Sequence, residues 1–173
     1  MINILIDNNG IDILRENLDY FLSIRDKACF FINATVLEEL SNMGAIKADK
    51  FIGKEQDELL QEIEHHNKKI ETLKRNLLAL FHLSPLFITD SIFVLGYSRL
   101  GYSRLGDCTT YDNLVDNKKS KNVRDSIIGA SAFNDDYYVL TNDKRFRNKM
   151  EKNSVKYLNF DELQQKIKEM EKK

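Results

Sequence analysis

The sequence has no apolar run approaching the ~18 residues needed to span a bilayer, so no membrane partner is expected. It has almost no net charge: 26 Lys and Arg stand against 27 Asp and Glu, leaving a formal charge of -1. Without a global basic field, any nucleic-acid binding has to rest on local patches. Cysteine is scarce. Cys29 and Cys108 are far apart and in no metal-ligand spacing, which excludes a disulfide framework and fits a reducing, cytoplasmic setting. Cys29, in "CFFIN", reads as a buried thiol. The opening "MINILI" lacks a basic region and meets Asp7 at once, so it reads as a strand and not a signal peptide.

The rest of the composition is that of a folded protein. Hydrophobic residues make up 42% and charged residues 31% of 173 positions, enough for one domain with a sizeable core. "INILI" is almost continuously apolar, as a central strand buried on both faces would be. "NNG" ends it, and "IDILRENLDYFLSI" places Ile11, Leu14, Leu18 and Phe21 at helical spacing. "CFFI" reads as a second strand. "TVLEELSNM" reads as a helix, with Thr35 and Glu38 spaced as a capping box. This alternation predicts an α/β fold, a three-layer sandwich with a mostly parallel central sheet flanked by helices.

From about Ala48 to Phe81 the chain is rich in Lys, Glu and Leu and has no proline. Ile63, Ile70, Leu73, Leu77 and Leu80 form a stripe at helical spacing, predicting one or two long helices in an insertion over about 48–82. His65 and His66 are adjacent, point in different directions and lack a third ligand, so they read as surface residues. A repeat-bearing loop spans about 95–122. The pentamer GYSRL occurs there twice, at 96–100 and 101–105. Two copies do not make a solenoid. The repeat reads as a surface duplication or, since Tyr97, Arg99, Tyr102 and Arg104 interleave aromatics with guanidiniums, as a single-strand-binding element. "RDSIIGASAF" then reads as a helix, "YYVL" and "KYLNF" as strands, and "FDELQQKIKEM" as a final helix capped by Asn159 and Glu162.

"YYVLTNDKRF" raises the functional question. A buried strand ends there in Thr141, Asn142 and Asp143. Turn residues explain that in part, but the C-terminal tips of parallel strands are also where open α/β sheets put their chemistry. Asp7 ends the first strand in the same way. Asp125 lies in the first turns of the helix before "YYVL". Glu38 or Glu39 lies in the helix after "CFFI". Singly, each acid is explained as a turn, cap or helix-dipole residue.

In order, "LIDNN", "TVLEEL", "RDSIIGASAF" and "YYVLTNDKRF" resemble the four acidic motifs of the PIN-domain nucleases, the superfamily that includes the VapC-type toxins. The resemblance spans about residues 2–165. It maps onto Asp7, Asn8 and Asn9; onto Glu39 before Leu40, with Glu38 selected instead if the helix is aligned on Thr35; onto Asp125, Ile128, Gly129 and Ala130; and onto Thr141, Asn142, Asp143 and Phe146. The gap between the second and third acids is longer than in small toxins.

The resemblance implies a PIN-like fold in a single domain over 1–173 and a metal-dependent endoribonuclease acting on single-stranded RNA. It implies Mg²⁺ or Mn²⁺ on Asp7, Asp125 and Asp143, with Glu39 binding a second metal or orienting water, and Asn9 and Thr141 holding these groups. The chemistry agrees, because crowded carboxylates repel and their pKa values rise unless a cation joins them. Lys118, Lys119, Lys121 and Arg124, just before Asp125, form a candidate RNA-binding patch or a solvated loop. An antitoxin or other protein partner and a homodimer are further expectations of the resemblance. The competing reading is a catalytically inactive PIN-like scaffold that binds RNA or protein through its long helices. A haloacid-dehalogenase-like phosphatase is disfavoured, since "DNN" lacks the second Asp of Asp-x-Asp.

Overall fold

A computed structural model describes residues 1–44, 53–98, 103–115 and 120–172. The chain runs β1 (Ile2–Ile6), α1 (Asn8–Glu16), α2 (Leu18–Ser23), β2 (Ala28–Ile32), α3 (Ala34–Met43), α4 (Gln56–Leu83) and β3 (Leu86–Ile88). It continues through α5 (Thr109–Leu114), α6 (Ser120–Asn134), β4 (Tyr138–Leu140), α7 (Lys144–Lys152), β5 (Tyr157–Leu158) and α8 (Phe160–Glu171). The five strands form one sheet in the order β3-β2-β1-β4-β5, and every pairing is parallel. This is the expected α/β sandwich, with helices flanking a central parallel sheet.

The apolar first strand takes the centre of the sheet. Ile4, Leu5 and Ile6 are fully buried, as a strand covered on both faces requires. From β1 the sheet grows outward through β2 and β3, then returns to add β4 and β5 on the other side. The order therefore reverses between β1 and β4. Such a switch point opens a crevice at the C-terminal ends of the strands.

Several local expectations shift. The predicted helix after β1 breaks at Asn17, whose amide donates to the Ile13 carbonyl at 2.9 Å, and splits into α1 and α2. Gly10 belongs to the first turn of α1; a Cβ there would lie 2.3 Å from the Leu140 carbonyl oxygen, so only glycine lets the helix start this close to β4. The Thr35–Glu38 capping box does not form. Asn33 is the N-cap of α3, Thr35 lies inside the helix, and the Thr35 hydroxyl is buried without a partner. At the other end of the chain, the Asn159–Glu162 capping box is complete. Cys29 is half-buried, because side chains alternate along β2 and Cys29 faces away from its buried neighbours Ala28 and Phe30.

Among the described residues, the insertion holds one helix, α4, of 28 residues. At 1.5 Å per residue it is roughly 42 Å long. Only its C-terminal half is buried, through Asn76, Ala79, Leu80 and Leu83, and the helix packs on α1, α2 and α3. Ile63 and Leu77 of the predicted stripe are exposed. Residues 48–52 of the expected insertion lie outside the described residues.

The two GYSRL copies play different parts. In the first, Tyr97 packs on a satellite cluster of Ile92, Val123, Ile127 and Ala130. In the second, the Arg104 guanidinium donates to both Asp135 carboxylate oxygens at 2.7 and 2.8 Å. Arg99 and Tyr102 lie outside the described residues.

Candidate active site

Sheet register sets the site. Ile6 is level with Ile32 on one side and Leu140 on the other; Ile32 is level with Ile88, and Leu140 with Leu158. One residue further along, each strand turns polar. Thr89, Asn33, Asp7, Thr141 and Asn159 thus form a row across the C-terminal edge of the sheet, with Asp7 in the middle. Asp7, Asn33 and Asn159 are also helix N-caps, so the chain leaves three strands for three helices at the same level.

Asp7 is buried, with 5% of its surface exposed. Its carboxylate accepts the Gly10 backbone N–H at 2.5 Å and a hydrogen bond from the Thr141 hydroxyl. The same hydroxyl accepts the Asp143 N–H at 3.1 Å, so Thr141 links the two acids. Burial pushes the Asp7 pKa up to about 7, over the opposing pull of Thr141 and Gly10, and the charges of Asp125 and Asp143 add to the rise. Asp143 is the N-cap of α7. One of its oxygens accepts the N–H groups of Arg145 at 2.8 Å and Phe146 at 3.0 Å.

Asp125 reaches the same place from α6. Burial first, then the charges of Asp143 and Glu39, raise its pKa to about 6, while Lys149 opposes them. Glu39 is therefore the α3 acid whose charge Asp125 feels. The Glu39 carboxylate accepts a hydrogen bond from the Arg124 guanidinium at 2.6 Å, and both side chains are about one-third exposed. Asp125 and Asp143 thus act on Asp7, and Asp143 and Glu39 act on Asp125, with the four acids coming from four separate elements.

The remaining predicted residues divide. Thr141 is fully buried and bonded as above. Asn9 is exposed on α1. Its neighbour Asn8 instead buries a side-chain oxygen with no partner. Arg124 is committed to Glu39. Lys118 and Lys119 lie outside the described residues, as does the Lys121 side chain.

Among the described residues, no three His, Cys, Asp or Glu side chains converge closely enough to hold a metal ion as they stand. Asp7 and Asp143 each direct an oxygen to a helix N-terminus, and Glu39 is turned to Arg124. The donor chemistry nevertheless suits one kind of ion. All the candidate ligands are oxygens, and two acids with raised proton affinity crowd a third, an arrangement that a hard divalent cation relieves.

Beside this cluster lies a second polar centre that the sequence reading did not find. Asp90, just past β3, is completely buried. The Asn33 amide donates to Asp90 at 2.5 Å and to the Thr89 carbonyl at 2.8 Å, and lies 3.2 Å from the Ser131 hydroxyl. The Ser103 hydroxyl and the Ala34 N–H complete the Asp90 shell. The one legible signal was that "ITDS" repeats the strand-then-acid pattern of "LIDNN" and "VLTND". Comparison with known proteins adds no identity: no family model matches the chain, and no curated protein is similar to it.

Proposed function

We propose that the protein is a metal-dependent endoribonuclease of PIN type that hydrolyses phosphodiester bonds in single-stranded RNA with Mg²⁺ or Mn²⁺. The observation that carries this reading is the gathering of motif acids at the switch point of a parallel sheet: the charges of Asp125 and Asp143 are felt at Asp7, and those of Asp143 and Glu39 at Asp125. Asp7, Asp125 and Asp143 are the metal ligands, and Glu39 positions the attacking water. When bound, the cation lowers the pKa of that water and offsets charge on the phosphate.

The chain's own groups prepare the site. The helix-cap bonds fix one oxygen each of Asp7 and Asp143. Thr141 ties these two acids together, and Arg124 holds the Glu39 carboxylate. The Lys149 charge partly offsets the negative charge around Asp125. An antitoxin or other protein partner, a homodimer and a cytoplasmic location belong to the same proposal. No helix among the described residues is long and apolar enough to cross a membrane.

The alternative, an inactive PIN-like scaffold, draws on α4, where Leu60, Leu77, Leu78 and Phe81 are exposed. One assay separates the two readings: cleavage of labelled single-stranded RNA with Mn²⁺ or Mg²⁺, beside an EDTA control and an Asp7→Asn/Asp143→Asn double variant. The nuclease reading expects metal-dependent cleavage that the folded double variant lacks. A wild-type protein that neither cuts a broad RNA panel nor binds metal by calorimetry would end it in favour of the scaffold.

A further inference from the structure

The chain as a whole is close to neutral, yet α7 is not. It carries Lys144, Arg145, Arg147, Lys149 and Lys152 against the single acid Glu151. The contrast with α4 is instructive. There four cations face five acids, and neighbours neutralise each other: Lys68 pairs with Glu64 at 2.9 Å and Lys74 with Glu71 at 2.8 Å. Such a helix is an ordinary solvated face.

The cations of α7 fall on two flanks of a helix anchored by the buried Phe146 and Met150. Arg147 lies on the flank toward α8. It pairs with Glu162 at 2.7 Å and stands 4.8 Å over the Tyr157 ring. Glu151 falls on that same side. The other flank holds Arg145, Lys149 and Lys152 at i, i+4 and i+7, within an arc of about 60° at 100° per residue. This is the flank that meets the acid site, because the Lys149 charge is felt at Asp125. Arg145 and Lys152 are exposed, and among the described residues neither has an acidic partner. The row begins two residues after Asp143 and runs away from it for about 10 Å.

We propose that Arg145, Lys149 and Lys152 form a phosphate-binding track that carries the backbone of a single-stranded RNA out of the carboxylate site along α7. A site that gathers four acids repels a polyanion, so substrate binding needs positive charge beside the acids but not among them. This flank supplies it: the exposed Arg145 and Lys152 face solvent where phosphates can reach them, and Lys149 adds its charge beside the acids. The inference rests on the ribonuclease reading for its substrate. It replaces no role of the acids: the three cations position the strand, and the acids carry the chemistry. An acidic protein segment would find the same charges, but the track starts at the carboxylates, where a bystander peptide has no reason to end.

The test measures binding of a fluorescent oligouridine to full-length Asp125→Asn protein across a range of salt concentrations, in the parent and with Arg145→Gln/Lys152→Gln added. Both positions are exposed, and matched circular dichroism and melting confirm folding. The expected result is an affinity loss of about tenfold or more and a log–log salt slope smaller by about 1.4, or ~0.7 per lost phosphate contact on a single strand. A Lys68→Gln/Lys74→Gln control on α4 stays within about twofold of the parent on the same counterion-release argument. In the cleaving wild-type background, the Arg145/Lys152 pair raises KM and leaves kcat within about twofold, as loss of uniform binding does.

Equal affinity and slope in parent and double variant overturns the track, and so does dependence on Arg145 and Lys152 for a polyglutamate peptide but not for RNA. The two readings fail separately. Cleavage by wild type with KM unchanged in the double variant removes the track and keeps the nuclease. RNA binding that needs Arg145 and Lys152, without cleavage under any metal, keeps the track and removes the nuclease.

Discussion

Asp7 and Asp90 occupy the same edge of the same sheet, and both are buried, yet they are opposites. Asp90 is enclosed by neutral donors, namely the Asn33 amide, the Ser103 hydroxyl and the Ala34 N–H, and among the described residues no other acid perturbs it. Asp7 has two donors and two acidic neighbours. Burial raises the proton affinity of both. What separates them is what a deprotonated carboxylate meets. Asp90 itself is satisfied by these donors, and the group is a structural tie that joins the end of β3 to the start of α3 and the second GYSRL copy. Around Asp7 the charge is left unbalanced, which is the condition that attracts a cation. Burial of an acid alone therefore does not mark a reactive site; burial beside like charge does.

The largest break in this comparison comes from neutralising one member at a time. Asp7→Asn is expected to lower metal-dependent RNA cleavage by about 10²-fold or more, the scale of losing a group that acts on the reacting atoms. The same change is expected to raise the metal-free melting temperature at pH 8, since a neutral amide there no longer buries a charge. Cleavage rates and calorimetric melting check both halves, and a cleaving Asp7→Asn protein would remove Asp7 from the site.

Asp90→Ala is expected to do the reverse. It strands the Ala34 N–H in the interior, removes the Asn33 amide's 2.5 Å bond and costs about 1–3 kcal/mol of stability. Cleavage per folded molecule stays within about twofold on that structural assignment. Urea unfolding followed by circular dichroism measures the first effect. If Asp90→Ala kept its stability and lost activity, the two carboxylates would have exchanged roles.

A smaller effect appears in pH. Folded Asp7 holds its proton up to about 7, whereas the unfolded chain releases it near 3.8. Between those values the folded state binds more protons. The stability that this supplies is complete below 3.8 and is lost as pH rises through 7. Asp125 acts in the same direction up to about 6. Without metal, stability should fall across this window by up to about 1.4 kcal/mol per pH unit for each group, and Asp7→Asn should flatten the curve. Added Mn²⁺ should stabilise more at pH 8 than at pH 5, because its ligands must be deprotonated. Melting curves in EDTA and in Mn²⁺ across pH test both statements.

The finest distinction is between adjacent acids. Glu39→Gln is expected to reduce cleavage about tenfold, a loss typical of a group that supports a metal site. Glu38→Gln should change it by less than about twofold, since only Glu39 is felt at Asp125. Equal effects from the two variants would dissolve that assignment.

Much of the fold was legible because its signals are local. An unbroken apolar strand, helical spacing in α1, α4 and α6, and the Asn159–Glu162 cap each depend on neighbours within a few residues. β3 was missed because it is three residues long and partly exposed at the sheet edge, so neither length nor hydrophobic pattern announces it. Thr35 was misread as a cap because the spacing of a capping box is satisfied on paper by Thr35 and Glu38, whereas the chain leaves β2 one residue after Ile32 and makes Asn33 the cap. Asp7 and Asp143 are legible as strand ends, and Asp125 and Glu38 or Glu39 as acids within helices. Arg124, by sequence a candidate phosphate contact or a solvated loop residue, lies against Glu39, a pairing across 85 residues that no local pattern contains.

The sequence by itself determined where most strands and helices lie, that β1 is central, and that Asp7 and Asp143 end strands while Asp125 and either Glu38 or Glu39 lie within helices. These follow from backbone propensity and from the need to bury apolar side chains, both of which are written in short windows. Only the tertiary structure decided that the sheet reverses between β1 and β4, that Asp7 is crowded by acids while Asp90 is satisfied, and that Lys149 rather than Arg124 is the cation felt at Asp125. Those outcomes depend on distances between residues remote in the chain, and charge interactions vary with distance and burial in a way that no sequence pattern carries.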